Sequence, residues 1–222
     1  MDTSNKKAII FDLDDTLYKE VDYVKSAFTE IAKCISVDVG FQHSDILNEM
    51  LNLFHNNKEV FKTVLEKFDS NLSLEKLIYV YRAHVPEIEL ADSVKKVLQT
   101  LSDNEIPIGL LTDGRSVQQR NKIRALKIED VFEKIVVSEE YGSEKPDKAN
   151  YLVFEHFFDA ERFVYVGDNL KKDFVSANYL GWETICLLDD GKNIHKQDFS
   201  LPSRYLPKHS IAHFDELLDL VL

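Results

Sequence analysis

The stretch AIIFDLDDTLYKE, residues 8–20, decides how the rest of the chain is read. Its four leading residues are apolar without alternation, as in a strand buried on both faces. Four carboxylates follow at once: Asp12, Asp14, Asp15 and Glu20. Acidic groups this close repel one another, and burying one without a partner is costly. Placing them at the end of a buried strand therefore needs a reason beyond packing.

Working outward, similar apolar runs recur as IPIGLLT at 106–112, KIVVS at 134–138, FVYVG at 163–167 and ETICLL at 183–188. Between them lie helical patterns: DSVKKVLQTLSD from Asp92, SVQQRNKIRAL from Ser116, KANYLVFEHFF from Lys148 and KKDFVSANYL from Lys171, several opened by a residue suited to capping. The alternation is a βαβ series. It predicts an α/β fold, a doubly wound parallel sheet covered on both faces.

One segment breaks the series. From about Tyr18 to His84 no strand pattern occurs, while helical periodicity recurs in YVKSAFTEIAKCI, SDILNEMLNLFH, EVFKTVLEKF and SLEKLIYVYRAH. This predicts an all-helical insertion, residues 18–85, in a core made of residues 1–17 and 86–222. The closing HFDELLDLVL reads as an amphipathic helix packed on its own domain.

Composition narrows the function. A chain of 222 residues with 44% hydrophobic and 30% charged residues can bury a full core without disulfides. A formal charge of -12 disfavours nucleic acid and anionic membrane as partners, so a small anionic ligand would need local positive charge or a metal. The apolar run at the N-terminus is too short for a signal peptide, and no run approaches membrane-spanning length. Cys34 and Cys186 lack zinc-ligand spacing and read as reduced thiols. The expectation is a cytoplasmic monomer or homodimer.

Five polar residues fall at the carboxyl sides of successive strands: Asp12 and Asp14, Thr112, Lys145 and Asp168. In an open parallel sheet that edge binds ligands, so these residues would converge on one crevice. Taken singly, each has a plainer reading. The aspartates could cap turns or helices, Thr112 could be a simple β-former, and Lys145 a solvated charge.

Together, DLDDTL at 12–17, LLTDG at 110–114, SEKPD at 143–147 and GDNLKKD at 167–173 resemble the four motifs of the haloacid dehalogenase superfamily, in its phosphatases with a helical cap after the first motif. The resemblance implies a magnesium-dependent phosphatase of a small phosphorylated metabolite, a sugar phosphate or a nucleoside monophosphate. It makes Asp12 the nucleophile and Asp14 the acid and base. Thr112, Asp113 and Lys145 would bind the phosphoryl group. Asp12, Asp168 and the Asp14 carbonyl would hold Mg2+, and Asp173 would orient metal water or Lys145. Asp113 departs from the asparagine common in relatives and cannot donate a side-chain hydrogen bond when ionised. Tyr18, Lys19, Lys25, Arg82 and His84 are candidates to meet the leaving group.

Other readings stay open. A mutase could share every motif. A dehalogenase of the superfamily would need neither Asp14 nor a metal acid at Asp168, and a phospho-accepting signalling module would lack the helical insertion.

Overall fold

The computed structural model describes residues 6–222, and the first five residues of the expected core segment lie outside these. Six strands form one parallel sheet: β1 Lys7–Phe11, β2 Ile108–Thr112, β3 Lys134–Val137, β4 Arg162–Gly167, β5 Glu183–Leu187 and β6 His209–Ile211. Their order is β3-β2-β1-β4-β5-β6. The chain winds outward from β1 to β3, then returns to β4 on the other side of β1. The carboxyl ends of β1 and β4 are thus the switch point where such sheets open a crevice.

Between β1 and β2 run α1 Glu20–Val39, α2 His43–His55, α3 Phe61–Lys67, α4 Leu74–Ala83 and α5 Asp92–Asp103. Then follow α6 Ser116–Ala125, α7 Ser138–Tyr141, α8 Ala149–Phe157, α9 Phe174–Tyr179 and α10 Leu217–Val221. The absence of alternation in the strands has a direct cause. Ile9 and Phe11 of β1 and Val164 and Val166 of β4 face a cluster built with α5, Ile123 of α6 and the C-terminal Phe214 and Leu217. Their neighbours Ala8, Ile10, Phe163 and Tyr165 face a second cluster with Tyr151, Phe154, Phe174 and Trp182. Both faces are covered, so both sets of alternate residues must be apolar.

Helices α1 to α4 surround a third cluster of their own, with Phe28, Ile31, Ile35, Met50, Val64 and Leu77 buried. Helix α1 also joins the sheet-bearing part, with Tyr23 and Ala27 buried in the first cluster. Asn121 of α6 donates its side-chain amide to the carbonyls of Ala83 and His84, each at 3.0 Å.

Local details differ from the sequence expectations. Asp92 and Ser116 lie inside their first helical turns, and Ala91 and Arg115 before them supply no side-chain cap. The α6 start is instead held by Glu139, whose carboxylate accepts from Ser116 N at 2.7 Å. Ser73 does cap α4, accepting from Lys76 N at 3.2 Å. The C-terminal segment is a 3-10 turn, Phe214–Glu216, before the short α10.

Gly109 in β2 lets α8 pack close against the sheet. A methyl group there would sit 2.6 Å from the buried Phe154 ring of α8. Gly109→Ala is therefore expected to destabilise the protein by about 1–3 kcal/mol through overpacking. Urea denaturation of the two proteins, at unchanged m-value, measures it.

Candidate active site

The sheet register sets the site. Phe11 pairs with Leu110 on one side and Val166 on the other, so the chains leaving β1 and β4 emerge side by side. Asp12 N still donates to Val166 O at 2.9 Å, which fixes its carboxylate at the sheet edge. Three residues on, Asp15 takes a left-handed φ of 56°, tolerable for aspartate, and turns the chain toward α1. Its carboxylate accepts from Glu20 N at 2.9 Å and Ile194 N at 2.8 Å.

Lys145 stands at the centre. Its buried ammonium donates to Asp12 Oδ1 at 2.7 Å, Asp173 Oδ1 at 2.8 Å and the Tyr165 hydroxyl at 3.2 Å. Burial opposes its charge, yet Asp12 and Asp173 hold its pKa well above the ordinary lysine value. Asp173 is fully buried, and its other oxygen accepts from the backbone N–H of Asp168 at 3.1 Å and Asn169 at 2.8 Å. Gly167 is required beside it, because a Cβ there would collide with that carboxylate.

Asp12, Asp168 and Asp173 each offer an oxygen within 4.8 Å of the others. Asp173 has both oxygens engaged, one by Lys145 and the other by the turn after β4. Lys145 occupies one oxygen of Asp12 and Asn193 Nδ2 one oxygen of Asp168, at 2.9 Å, which leaves each of these carboxylates a second oxygen. Burial raises Asp12 to about 7 against the pull of Lys145, with Asp173 and Asp14 adding to the rise. Burial, then the charges of Asp173, Asp12 and Asp15, raises Asp168 to about 9. Two crowded, oxygen-only donors with more negative charge than Lys145 can balance fit a hard divalent cation such as Mg2+.

Asp14 is held apart from this cluster. Its carboxylate accepts from Lys122 Nζ at 2.7 Å, Gln119 Nε2 at 2.8 Å and the Tyr18 hydroxyl at 2.5 Å. Burial would raise its pKa, but the Lys122 charge and these hydrogen bonds bring it below the ordinary value. An ionised Asp14 suits a base, and the proton expected on it for acid catalysis is disfavoured in this arrangement. Glu20, 3.8 Å from Lys122, is raised to about 8 by burial and then by the Asp14 charge.

These groups open onto one cavity of about 300 Å³, lined by Asp12, Asp14, Asp15, Glu20, Asp113, Gly114, Glu144, Lys145, Asp168, Asn169, Lys172 and His195. Thr112 is fully buried and does not line it, and its hydroxyl accepts from Gln119 at 2.5 Å. Asp113 does line it, but its carboxylate is bound by Lys145 N and Lys172 Nζ, both at 3.0 Å.

Of the residues expected to meet a leaving group, none lines this cavity. Tyr18 serves Asp14, and Lys19 donates to Asn193 Oδ1 at 2.8 Å. Lys25 pairs with Asp22 on the exposed side of α1. His84 is buried against Tyr23, and Arg82 lines an adjoining cavity of about 520 Å³ with Arg115 and Ser143. Sequence reasoning missed Gln119, Lys122, Asn193 and His195. The pair Gln119 and Lys122 shares a helix face at i, i+3, but nothing local tells that this face is turned to Asp14.

The profile described as haloacid dehalogenase-like hydrolase matches residues 9–187. The glyceraldehyde 3-phosphate phosphatase of Methanocaldococcus jannaschii is 29% identical over 97% of this chain and 96% of its own. The ribulose-1,5-bisphosphate 5-phosphatase of Halopiger xanaduensis is 29% identical over 64% of this chain and 60% of its own. Among solved structures, the magnesium-bound HAD-hydrolase YfnB of Bacillus subtilis is similar in fold, with a TM-score of 0.67 at 20% identity, covering 98% of this chain and 99% of that one.

The raised carboxyls make a pH prediction. A carboxyl with a folded pKa above its unfolded value contributes stability that is full below the unfolded pKa and is lost as pH rises through the folded one. In EDTA, stability is expected to fall as pH rises above the ordinary carboxyl pKa of 3.8, the loss from Asp12 being complete by about pH 7 and that from Asp168 by about pH 9. The slope is about 1.4 kcal/mol per pH unit for each carboxyl still protonated only in the fold. Melting curves across that window check it, and added Mg2+ is expected to flatten the decline.

Proposed function

The chain belongs to the haloacid dehalogenase-like hydrolases, and on that premise we propose that it is a magnesium-dependent phosphatase acting on a short phosphorylated carbohydrate through an aspartyl-phosphate at Asp12. The observation that carries this reading is the single cavity in which Asp12, Asp14, Lys145 and Asp168 converge. The names of its phosphatase relatives, on glyceraldehyde 3-phosphate and ribulose-1,5-bisphosphate, point the same way. Among the described residues no Phe, Tyr or Trp lines the cavity, so a nucleobase would find no ring of these to stack on. That favours a sugar phosphate over a nucleoside monophosphate.

The residues divide the work. In the first step an Asp12 oxygen bonds to phosphorus while the bond from phosphorus to the leaving alcohol breaks, and Asp14 gives the alcohol its proton. A phosphate dianion beside Asp14 raises its proton affinity, which counters the Lys122 effect when substrate is present. In the second step Asp14, now ionised, takes a proton from water as the water oxygen attacks phosphorus and releases Asp12. Lys145 balances charge on Asp12 and on the phosphoryl oxygens throughout. The Asp12 and Asp168 carboxylates with the Asp14 carbonyl would hold Mg2+, which supplies the positive charge that lets an anionic nucleophile approach an anionic ester. Asp173 keeps Lys145 aimed. Helices α1 to α4, within residues 18–85, act as a cap over the crevice, and the space beside Arg82 receives the rest of the substrate.

The test is phosphate release from triose, pentose and hexose phosphates, nucleoside monophosphates and p-nitrophenyl phosphate, with Mg2+ or EDTA. Turnover is expected to need Mg2+, to favour a carbohydrate phosphate, and to drop by more than ~10³-fold in Asp12→Asn. Phosphate that stays organic but changes carbon, seen by phosphorus NMR, would make the protein a mutase. Halide release from a 2-haloacid in EDTA would make it a dehalogenase.

A further inference from the structure

The loop after β5 carries no catalytic motif, yet it touches the site at Asp15 and Asp168. Asp189 Oδ1 folds it by accepting from the N–H of Gly191 at 2.7 Å and of Lys192 and Asn193 at 3.0 Å. Gln197 anchors its far end, donating to the carbonyls of Asp168 at 2.9 Å and Leu187 at 2.8 Å. Ile194 packs its side chain into the core of α1 to α4 while its N–H binds the Asp15 carboxylate.

Asn193 sits between these anchors. Its amide nitrogen donates to Asp168 Oδ2 at 2.9 Å, and its amide oxygen accepts from Lys19 Nζ at 2.8 Å. The reversed amide would set oxygen against carboxylate and NH₂ against ammonium, so the two partners fix its orientation. Lys19, just before α1, is further held by Asp190 at 3.0 Å.

We propose that Asn193 is a positioning residue for the metal-bearing carboxylate: it holds one oxygen of Asp168 so that the other is presented beside Asp12, and Lys19 at the root of the helical insertion holds Asn193. This rests on the phosphatase reading only in taking Asp168 as a magnesium ligand. A neutral amide suits the task. It orders the carboxylate without the positive charge of a lysine or arginine, which would compete with the cation.

The experiment is calorimetric titration of Mg2+ into the EDTA-stripped and dialysed full chain. Asn193→Ala is expected to weaken binding ~10-fold, the loss typical for a group that orients a metal ligand. Its melting temperature in EDTA is expected to match the wild type, and its kcat to recover at saturating Mg2+, neither of which a collapsed loop would allow. Lys19→Met is expected to weaken binding by a smaller factor. The double variant is expected to be no weaker than Asn193→Ala, since Lys19 acts through Asn193. Should Asn193→Ala fail to fold, Lys19→Met decides alone by the same readout.

Unchanged Mg2+ affinity in a folded Asn193→Ala, with wild type binding normally, overturns the assignment and leaves the phosphatase reading standing. A wild type that binds no Mg2+ overturns both.

Discussion

The buried ammonium of Lys145 between Asp12 and Asp173 is the interaction on which the rest of the site depends. It ties the loop after β3 to the end of β1 and to the turn after β4, three segments far apart in sequence. Removing any one partner of such a group leaves a buried charge uncompensated, so the three positions constrain one another. The same arrangement leaves a surplus. One ammonium faces Asp12, Asp173 and, close by, Asp168, and the surplus appears as the raised pKa values of Asp12 and Asp168. A site built this way favours a bound cation, because two of its own anions are otherwise partly neutralised by protons.

The sheet and the positions of Asp12, Lys145 and Asp168 could be read from the sequence because both rest on local patterns. A strand buried on two faces must be apolar throughout, and a residue just past its carboxyl end must lie at the crevice. The four inserted helices were equally visible, since each has an apolar stripe of its own. The other parts of the site were not visible, and the reason is physical. Lys122 lies in RNKIR, a polar stretch that reads as a solvated helix face, yet it is 1% exposed because Asp14 and the Tyr23 ring, 4.4 Å away, enclose it. Strand β6 is only HSI, too short and too polar to stand out, and it exists because β5 offers it an edge. Asn193 and His195 lie in a loop whose course is set by side chains far away in sequence.

At Thr112 and Asp113 the motif implied a ligand contact, and the structure gives both side chains partners within the protein. The Thr112 hydroxyl is tied to Gln119, the same amide that reaches Asp14. Asp113 is clamped by Lys145 N and Lys172 and so fixes the loop that carries Lys145. A motif records that a residue type matters at a place; the partners decide whether it meets the ligand or holds the residue that does.

Asp14 carries this furthest. Every group that binds its carboxylate comes from the path between β1 and α1 or from α6: Tyr18, Lys122 and Gln119. Lys122 in turn lies over the ring of Tyr23, and Tyr23 gives its hydroxyl to Tyr81 O of α4 at 2.5 Å. The charge that fixes the protonation of Asp14 is therefore packed against the inserted helices themselves. Any displacement of α1 and α4 relative to the sheet moves Tyr23 and Tyr18 with it, and so alters the environment of Lys122 and the proton affinity of Asp14. The protonation of Asp14 and the placement of α1 and α4 are two readings of one set of contacts, and the short path from Asp14 to Tyr23 couples them without any further relay.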